Sequence, residues 1–226
     1  HDLQRNLTNR HIQLIAIGGA IGTGLFMGSG KTISLAGPSI VFVYAIIGVM
    51  VFFVMRAMGE LLLSNLRYRS FIDFASELLG PWAGFFTGWT YWFCWIVTGI
   101  ADVIAISAYT QFWFPNLPQW APALACVGLL LGLNLLTVKL FGEIEFWFAM
   151  IKIAAVIGMI VLGLVVVIWG INNNPGLPDP TFAHLVDDGG FFAQGGSGLL
   201  LALVVVMVSF GGTELIGITA GEADEP

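Results

Sequence analysis

The stretch of sequence that decides the fold is residues 17–26, which read IGGAIGTGLF. It lies in an apolar run long enough to cross a membrane, yet four of its ten residues are glycine. Each glycine weakens a helix by up to about 1 kcal/mol relative to alanine. At 1.5 Å per residue, positions 22–24 lie ~16 Å from the inner end of the run, near the bilayer midplane. Unwound backbone at that depth is tolerated where it lines a cavity or binds something.

Close packing is the alternative explanation for these glycines. Gly18 and Gly22, and again Gly24 and Gly28, are four residues apart, a spacing that lets membrane helices approach closely. A second interruption, SFGGTE at residues 209–214, breaks an aliphatic run at a similar depth. Two glycine-interrupted helices are typical of transporters with discontinuous helices around a midplane site, so the pair favours binding over packing alone.

Such a break also has a preferred ligand chemistry. A helix that starts just after the gap directs its first N–H groups and the positive end of its dipole back into the gap. A carboxylate fits this environment because it accepts hydrogen bonds and carries negative charge. The first break therefore predicts a carboxylate-binding site built from backbone.

The composition identifies an all-α integral membrane protein. Hydrophobic residues make up 58% of the chain and charged residues 10%, and the mean hydropathy is +0.90. Soluble domains carry about 25% charged residues, so a soluble fold is excluded. The net charge of −6 says little about partners. Apolar runs predict a single membrane domain over residues 1–226 with about six crossings, at residues 12–29, 39–63, 81–113, 121–138, 143–169 and 199–220.

The distribution of basic residues predicts the orientation. If the N-terminus is cytoplasmic, Lys31 is the one basic residue of the connecting segments that is expected in an outer loop. The inner side then carries Arg5, Arg10, Arg67, Arg69 and Lys139. This asymmetry satisfies the positive-inside rule.

Charged residues inside the crossings are functional candidates because they are unfavourable in lipid. Lys152 lies ~14 Å into the fifth crossing. Burial disfavours the charged amine, so a lysine there can release and regain a proton; its alternative is a static anchor on a partner charge or a carbonyl. Glu214, in the second break, is a further candidate for proton coupling. Asp102 is interpreted as a structural residue that pairs with another polar group. Arg56 and Glu60, four residues apart, are interpreted as a structural ion pair.

Several other functions are disfavoured. GSGKT at residues 28–32 resembles part of a phosphate-binding loop, but that motif needs glycine where Leu25 stands, so no nucleotide and no nucleic acid is expected as a partner. No nucleophile–base set or metal-ligand cluster appears, which argues against an enzyme, a metal or a cofactor. A channel would need a continuous polar face along its pore, and none of the predicted crossings shows one. A membrane sensor or packing subunit remains the non-transport alternative.

Three stretches carry a family resemblance. They are RNLTNRHIQLIAIGGAIGTGLF at residues 5–26, GEIEFWFAMIKI at 142–153 and GGTE at 211–214, the last followed by AGE at 220–222. They resemble bacterial amino-acid permeases of the amino acid–polyamine–organocation superfamily. The resemblance implies a five-helix inverted-repeat transporter fold with discontinuous helices one and six, in the bacterial inner membrane.

The resemblance also implies a substrate class. Residues 28–39 and 55–66 look most like members that carry D-serine, D-alanine and glycine. Members for aromatic amino acids, proline or γ-aminobutyrate share the rest of the pattern and remain alternatives. Because members have about twelve crossings, the chain is expected to be the N-terminal half of a carrier and not to transport alone.

Site roles follow from the same resemblance. The substrate carboxylate would bind the N–H groups of Thr23 and Gly24, its ammonium would meet carbonyls near Ala20, Val208 and Gly211, and Phe210 would cover it. The implied substrate-binding residues are Ala20, Gly22, Thr23, Gly24, Val208, Phe210, Gly211 and Gly212. Lys152 would couple transport to the proton gradient, with no sodium and no cofactor.

Overall fold

The computed structural model describes residues 9–65, 67–136 and 138–211, apart from the side chains of residues 9, 11, 15, 138 and 139. Every regular element in these ranges is helical. The α-helices are α1 (Asn9–Ala20), α2 (Thr23–Phe26), α3 (Gly28–Ala36), α4 (Ile40–Ser64), α5 (Phe71–Leu79), α6 (Pro81–Trp113), α7 (Trp120–Asn134), α8 (Val138–Trp169), α9 (His184–Asp187) and α10 (Gly195–Ser209). A 3₁₀ turn at Gly37–Ser39 joins α3 to α4.

The predicted break in the first helix is present. Helix α1 ends at Ala20, Ile21 and Gly22 are not helical, and α2 begins at Thr23. The helical run then continues through α3 to Ala36, because the stop signal is the positive φ of Gly37 (62°) followed by proline.

The prediction that Lys31 lies in an outer loop is therefore wrong. Lys31 is inside α3 and exposed on its surface. The short polar run GSGKT suggested a loop, but residues of this kind are compatible with a helix when the stronger terminator comes later.

Except for α6, the other helix ends differ from the predicted crossings by a few residues. Helix α6 begins and ends where the sequence places the third crossing, since Pro81 at its first position marks the start. Helix α7 ends at Asn134, earlier than predicted, in a tight turn in which the N–H of Leu135 bonds the carbonyl of Gly132 at 3.3 Å. Helix α10 starts at Gly195. The rest of the sixth predicted crossing, from residue 212, lies outside the described residues.

Within the described residues, three helical stretches are long and apolar enough to cross a membrane by length and composition: Gly28–Ser64, Pro81–Trp113 and Leu140–Trp169. Three shorter apolar stretches accompany them: Ile12–Phe26, which is interrupted at Ile21 and Gly22, Trp120–Asn134 and Gly195–Ser209. Large apolar side chains such as Phe53, Leu162 and Val204 are more than 60% exposed. An apolar exterior of this kind is what a lipid-facing surface requires.

The chain divides into two compact units. One is formed around Phe53–Phe146 and includes residues 9–16; the other combines Ile17–Phe52 with Trp147–Gly211. In the first unit α5 packs on α6 at Gly84, where an added Cβ would lie 2.6 Å from the Cβ of Ser76. Ser70 caps α5 by accepting the N–H of Ile72 at 3.2 Å.

The second unit holds a core shared by α3, α4 and α10. Its buried residues are Ala36, Val43, Ile47, Ala202 and Val206. On α10 the buried positions 198, 202, 206 and 209 recur every three or four residues and so form one face. The closest approach is at Gly198, where an added Cβ would clash with the carbonyl oxygen of Leu35. Small residues at such contacts stabilise membrane helices through van der Waals packing, since lipid supplies little hydrophobic drive.

The segment between α8 and α10 is organised around His184. Its Nε2 lies 2.8 Å from the carbonyl oxygen of Asp179 and its Nδ1 lies 3.0 Å from Oδ2 of Asp188. Both ring nitrogens face acceptors, so the doubly protonated ring suits the site best. The Asp179 carbonyl, and next the Asp188 carboxylate, raise the pKa of His184 above its ordinary value of 6.5.

This arrangement predicts a pH-dependent loop. Because the folded pKa is raised, the contribution of His184 to loop order is complete below pH 6.5 and is lost as pH rises through the folded pKa. An NMR titration of the His184 ring in micelles should give a midpoint above 6.5 in the wild type. Asp188→Asn should lower it more than Asp187→Asn, because Asp187 contributes only the smallest effect. A wild-type midpoint at or below 6.5, or equal effects of the two variants, would contradict the assignment.

Candidate functional site

The break in the first crossing leaves backbone groups at a helix start. Gly22 has an extended backbone (φ −150°, ψ −155°) and precedes α2. Its carbonyl accepts the N–H groups of Leu25 and Phe26 at 3.1 and 3.0 Å. Thr23 and Gly24 form the first turn of α2, so their N–H groups lie at the N-terminal end of the α2–α3 run. The positive end of the α2–α3 run therefore points into the break.

The end of α10 forms the facing element. The N–H of Phe210 bonds the carbonyl of Met207 at 3.2 Å, and the N–H of Gly211 bonds that of Val208 at 3.1 Å. These bonds tighten the last turn, so the helix ends at Ser209. The carbonyl end of a helix carries partial negative charge and suits a cation.

The fold brings these two ends into direct backbone contact. A Cβ added at Gly24 would lie 2.9 Å from the Cα of Ser209 and 3.0 Å from the carbonyl oxygen of Val208. Both are main-chain atoms that cannot move aside as a flexible side chain would. Glycine at position 24 is thus required for the start of α2 to meet the end of α10.

Lys152 reaches the other side of the same break. Its Nζ donates to the carbonyl oxygen of Gly18 at 2.8 Å, and the lysine is half-buried. Gly18 is buried against α8, where an added Cβ would lie 2.7 Å from the Cβ of Ala149. In the last turn of α1 the Ile17 carbonyl accepts the N–H of Ile21 at 3.2 Å, and the Gly18 carbonyl accepts from Lys152, which places the lysine charge at the negative end of α1.

The N-terminal end of α1 has its own contact with α8. The Arg10 guanidinium lies 2.8 Å from a carboxylate oxygen of Glu143 and 4.4 Å from the centre of the Phe146 ring. Arg10 is well exposed, so the ion pair by itself adds little stability.

Two residues that the sequence analysis missed complete the site. The Tyr44 hydroxyl of α4 donates to Oγ of Ser209 at 3.3 Å, and the rings of Tyr44 and Phe210 are 6.0 Å apart, centre to centre. One turn further along α4, a Cβ at Gly48 would lie 3.6 Å from the Phe210 ring. The available signal was a tyrosine and a glycine four residues apart in the apolar first half of α4.

The predicted site residues are thus partly brought together. Thr23, Gly24, Val208, Phe210 and Gly211 lie at the two facing helix ends, Ala20 ends α1, and Gly22 bridges the break with nothing within 4 Å of an added Cβ. Gly212 and Glu214 lie outside the described residues. The packing explanation is half right: Gly18 and Gly24 make close contacts, whereas Gly22 and Gly28 do not.

The remaining charged candidates are placed as follows. Arg56 Nε lies 3.6 Å from Oε1 of Glu60, which confirms the predicted i,i+4 pair, and both are exposed. Asp102 is half-buried on α6. Residues 28–32 are helical in α3 instead of forming a phosphate-cradling loop. Over the described ranges, no group of three or more His, Cys, Asp or Glu side chains is placed to hold a metal ion.

Comparison with known proteins identifies the family. The model of the Amino acid permease family matches residues 11–226. The chain belongs to the amino acid permease family. The family is one of all-α membrane transporters, and the matching relatives are named as transporters and permeases, not as enzymes.

Three relatives of the permease chain cover 99% of it. The D-serine/D-alanine/glycine transporter of Escherichia coli (strain K12) is 67% identical over 224 residues, the amino-acid permease AapA of Bacillus subtilis (strain 168) 54%, and the aromatic amino acid transport protein AroP of Salmonella typhimurium (strain SL1344) 47%. The permease chain spans about half the length of these curated relatives, 47% of the first and 48% of the other two. No solved structure matches it.

Proposed function

We propose that the protein containing this chain is a proton-coupled symporter of small neutral amino acids, namely D-alanine, D-serine and glycine, across the bacterial inner membrane. The observation that carries the proposal is the backbone contact between Gly24 and the Val208–Ser209 turn. This contact puts a helix start and a helix end, with opposite partial charges, next to each other. An amino-acid zwitterion has the matching pair of charges.

The binding mode follows from those partial charges. The carboxylate accepts from the N–H groups of Thr23 and Gly24, and the ammonium donates to carbonyls at Ala20 and Val208. Phe210, at the end of α10, covers the bound molecule. Main-chain groups contact the parts that all amino acids share, so they discriminate weakly between D and L forms. Selection for small side chains then falls to the walls around the Cα.

The substrate class is supported by the relatives. The relative at 67% identity is named for D-serine, D-alanine and glycine, whereas the relative named for aromatic amino acids is 47% identical. A permease of the same family for another amino acid, aromatic, proline or γ-aminobutyrate, is the alternative. The proposal for small substrates rests on this difference in identity.

Proton coupling is assigned to Lys152. Its ammonium bonds the Gly18 carbonyl beside the break, and loss of the proton weakens that bond, because a neutral amine is a poorer donor. Protonation therefore strengthens the contact between α1 and α8, and deprotonation weakens it. The predicted crossings place Arg10, Arg67 and Arg69 on the same side of the membrane as the N-terminus. The positive-inside rule then assigns that side to the cytoplasm.

The test is uptake of labelled D-alanine by cells that express the full-length protein. Uptake should exceed that of vector-only cells, should be competed by glycine and D-serine, and should fall to background with a protonophore. Robust uptake of phenylalanine without uptake of D-alanine, D-serine or glycine would overturn the substrate assignment. Uptake that ignores the protonophore would overturn the coupling.

A further inference from the structure

We propose that Tyr44 is a positioning residue of the transport site, which holds the end of α10 through Ser209 and so sets where Phe210 lies. The inference rests on the proposed function, because Phe210 is taken to cover the substrate. It adds a residue of α4, which contributes nothing to the backbone contacts that bind the zwitterion. Its consequence is that α4 influences which side chains the site accepts.

The first support is the polar contact. Tyr44 is half-buried in the core of the second unit, and Ser209, its hydrogen-bond partner at 3.3 Å, is 6% exposed. Ser209 is the last residue of α10, directly before the turn that carries Phe210. A hydroxyl pair away from water has few competing partners. The Tyr44–Ser209 hydrogen bond therefore restrains Ser209, the residue directly before the turn that carries Phe210.

The second support is the aromatic contact on the same face of α4. The Tyr44 and Phe210 rings are 6.0 Å apart and inclined by 50°. Gly48, one turn on, leaves room for the Phe210 ring, whose Cζ would be 3.6 Å from a Cβ at that position. Phe210 thus lies along a shallow recess defined by Tyr44 and Gly48.

The third support is the opposite side of the turn. Gly24 of α2 contacts the main chain of Val208 and Ser209 directly. The end of α10 is therefore held by α2 through backbone and by α4 through Tyr44. With α2 fixed, loss of the Tyr44 hydroxyl loosens the turn on the side where Phe210 lies and leaves the zwitterion-binding groups in place.

The variant Tyr44→Phe removes the hydroxyl and keeps the ring. In the full-length protein, the KM for D-alanine should rise about two- to five-fold with Vmax little changed, since a hydrogen bond at the long end of the usual range is lost. The ratio of glycine to D-serine uptake should fall, because a less restrained Phe210 admits the larger side chain more readily. Tyr109→Phe, on the exposed surface of α6, is the matched control and should equal wild type.

Ser209→Ala separates positioning from general packing. If the Tyr44–Ser209 bond acts as a unit, Ser209→Ala should shift KM and the uptake ratio as Tyr44→Phe does, and the double variant should add nothing further. Additive effects, or a fall in Vmax with unchanged KM and ratio, would overturn the inference. Wild-type protein that takes up none of the three amino acids would instead overturn the proposed function, so the two failures are distinguishable.

Discussion

Replacing Gly24 with alanine should reduce D-alanine uptake by the full-length protein at least about fivefold. The new Cβ would stand 2.9 Å from the Cα of Ser209 and 3.0 Å from the Val208 carbonyl oxygen, and neither can yield without moving the backbone of α10. Overpacking of this kind costs about 1–3 kcal/mol. If the protein must bring α2 against α10 in each cycle, that energy lowers the population of the closed site by about 5- to 150-fold.

The matched control is Gly30→Ala. Gly30 also lies in a helix, α3, but an added Cβ there meets nothing within 4 Å. Alanine is the better helix former by about 1 kcal/mol, so uptake and thermal stability should equal or exceed wild type. Labelled-substrate uptake, with expression measured by immunoblot, compares the two variants. Near wild-type uptake by Gly24→Ala would show that the contact is not part of the working site.

Lys152→Met should abolish proton-driven accumulation, with at least a tenfold loss. Methionine keeps an unbranched chain but removes the donor to the Gly18 carbonyl and the group proposed to carry the proton. Exchange of external for internal substrate needs no net proton movement and should persist. Proteoliposomes with the full-length protein allow both measurements: accumulation under an imposed pH gradient, and counterflow without one.

Lys152→Arg distinguishes a proton carrier from an anchor. Arginine still donates to a carbonyl, but it holds its proton at every accessible pH. If Lys152 carries the proton, the arginine variant should retain counterflow and lose pH-dependent accumulation. Restored, pH-dependent accumulation by Lys152→Arg would show that Lys152 only anchors α1. Lys31→Met, on the exposed surface of α3, is the control and should behave as wild type.

The main features of the fold could be predicted from the sequence because each depends on local composition. The bounds of α6 follow from an apolar run that begins at Pro81. The break between α1 and α2 follows from closely spaced glycines at membrane depth. Arg56 and Glu60 pair because residues four apart share a helix face.

Other features could not be read from local sequence because they depend on which terminator or neighbour dominates. Lys31 is helical because Gly37 and Pro38, several residues later, end the run. The glycines of residues 17–26 also look alike in sequence, but Gly18 and Gly24 have a side chain or backbone close enough to require them, whereas an added Cβ at Gly22 would meet nothing within 4 Å. The hydrogen bond of Tyr44 could not be predicted from local sequence, since its partner Ser209 is 165 residues away in the chain.

The sequence by itself determined the membrane environment, the broken first helix and the family, because hydropathy, helix propensity and motifs are properties of short segments. Only the tertiary structure decided what the break touches. It places the start of α2 against the end of α10, Lys152 on the Gly18 carbonyl, and Tyr44 on Ser209. These contacts join residues more than 130 positions apart. They depend on how closely helices approach, and therefore on the absence of a single Cβ at Gly18 and Gly24.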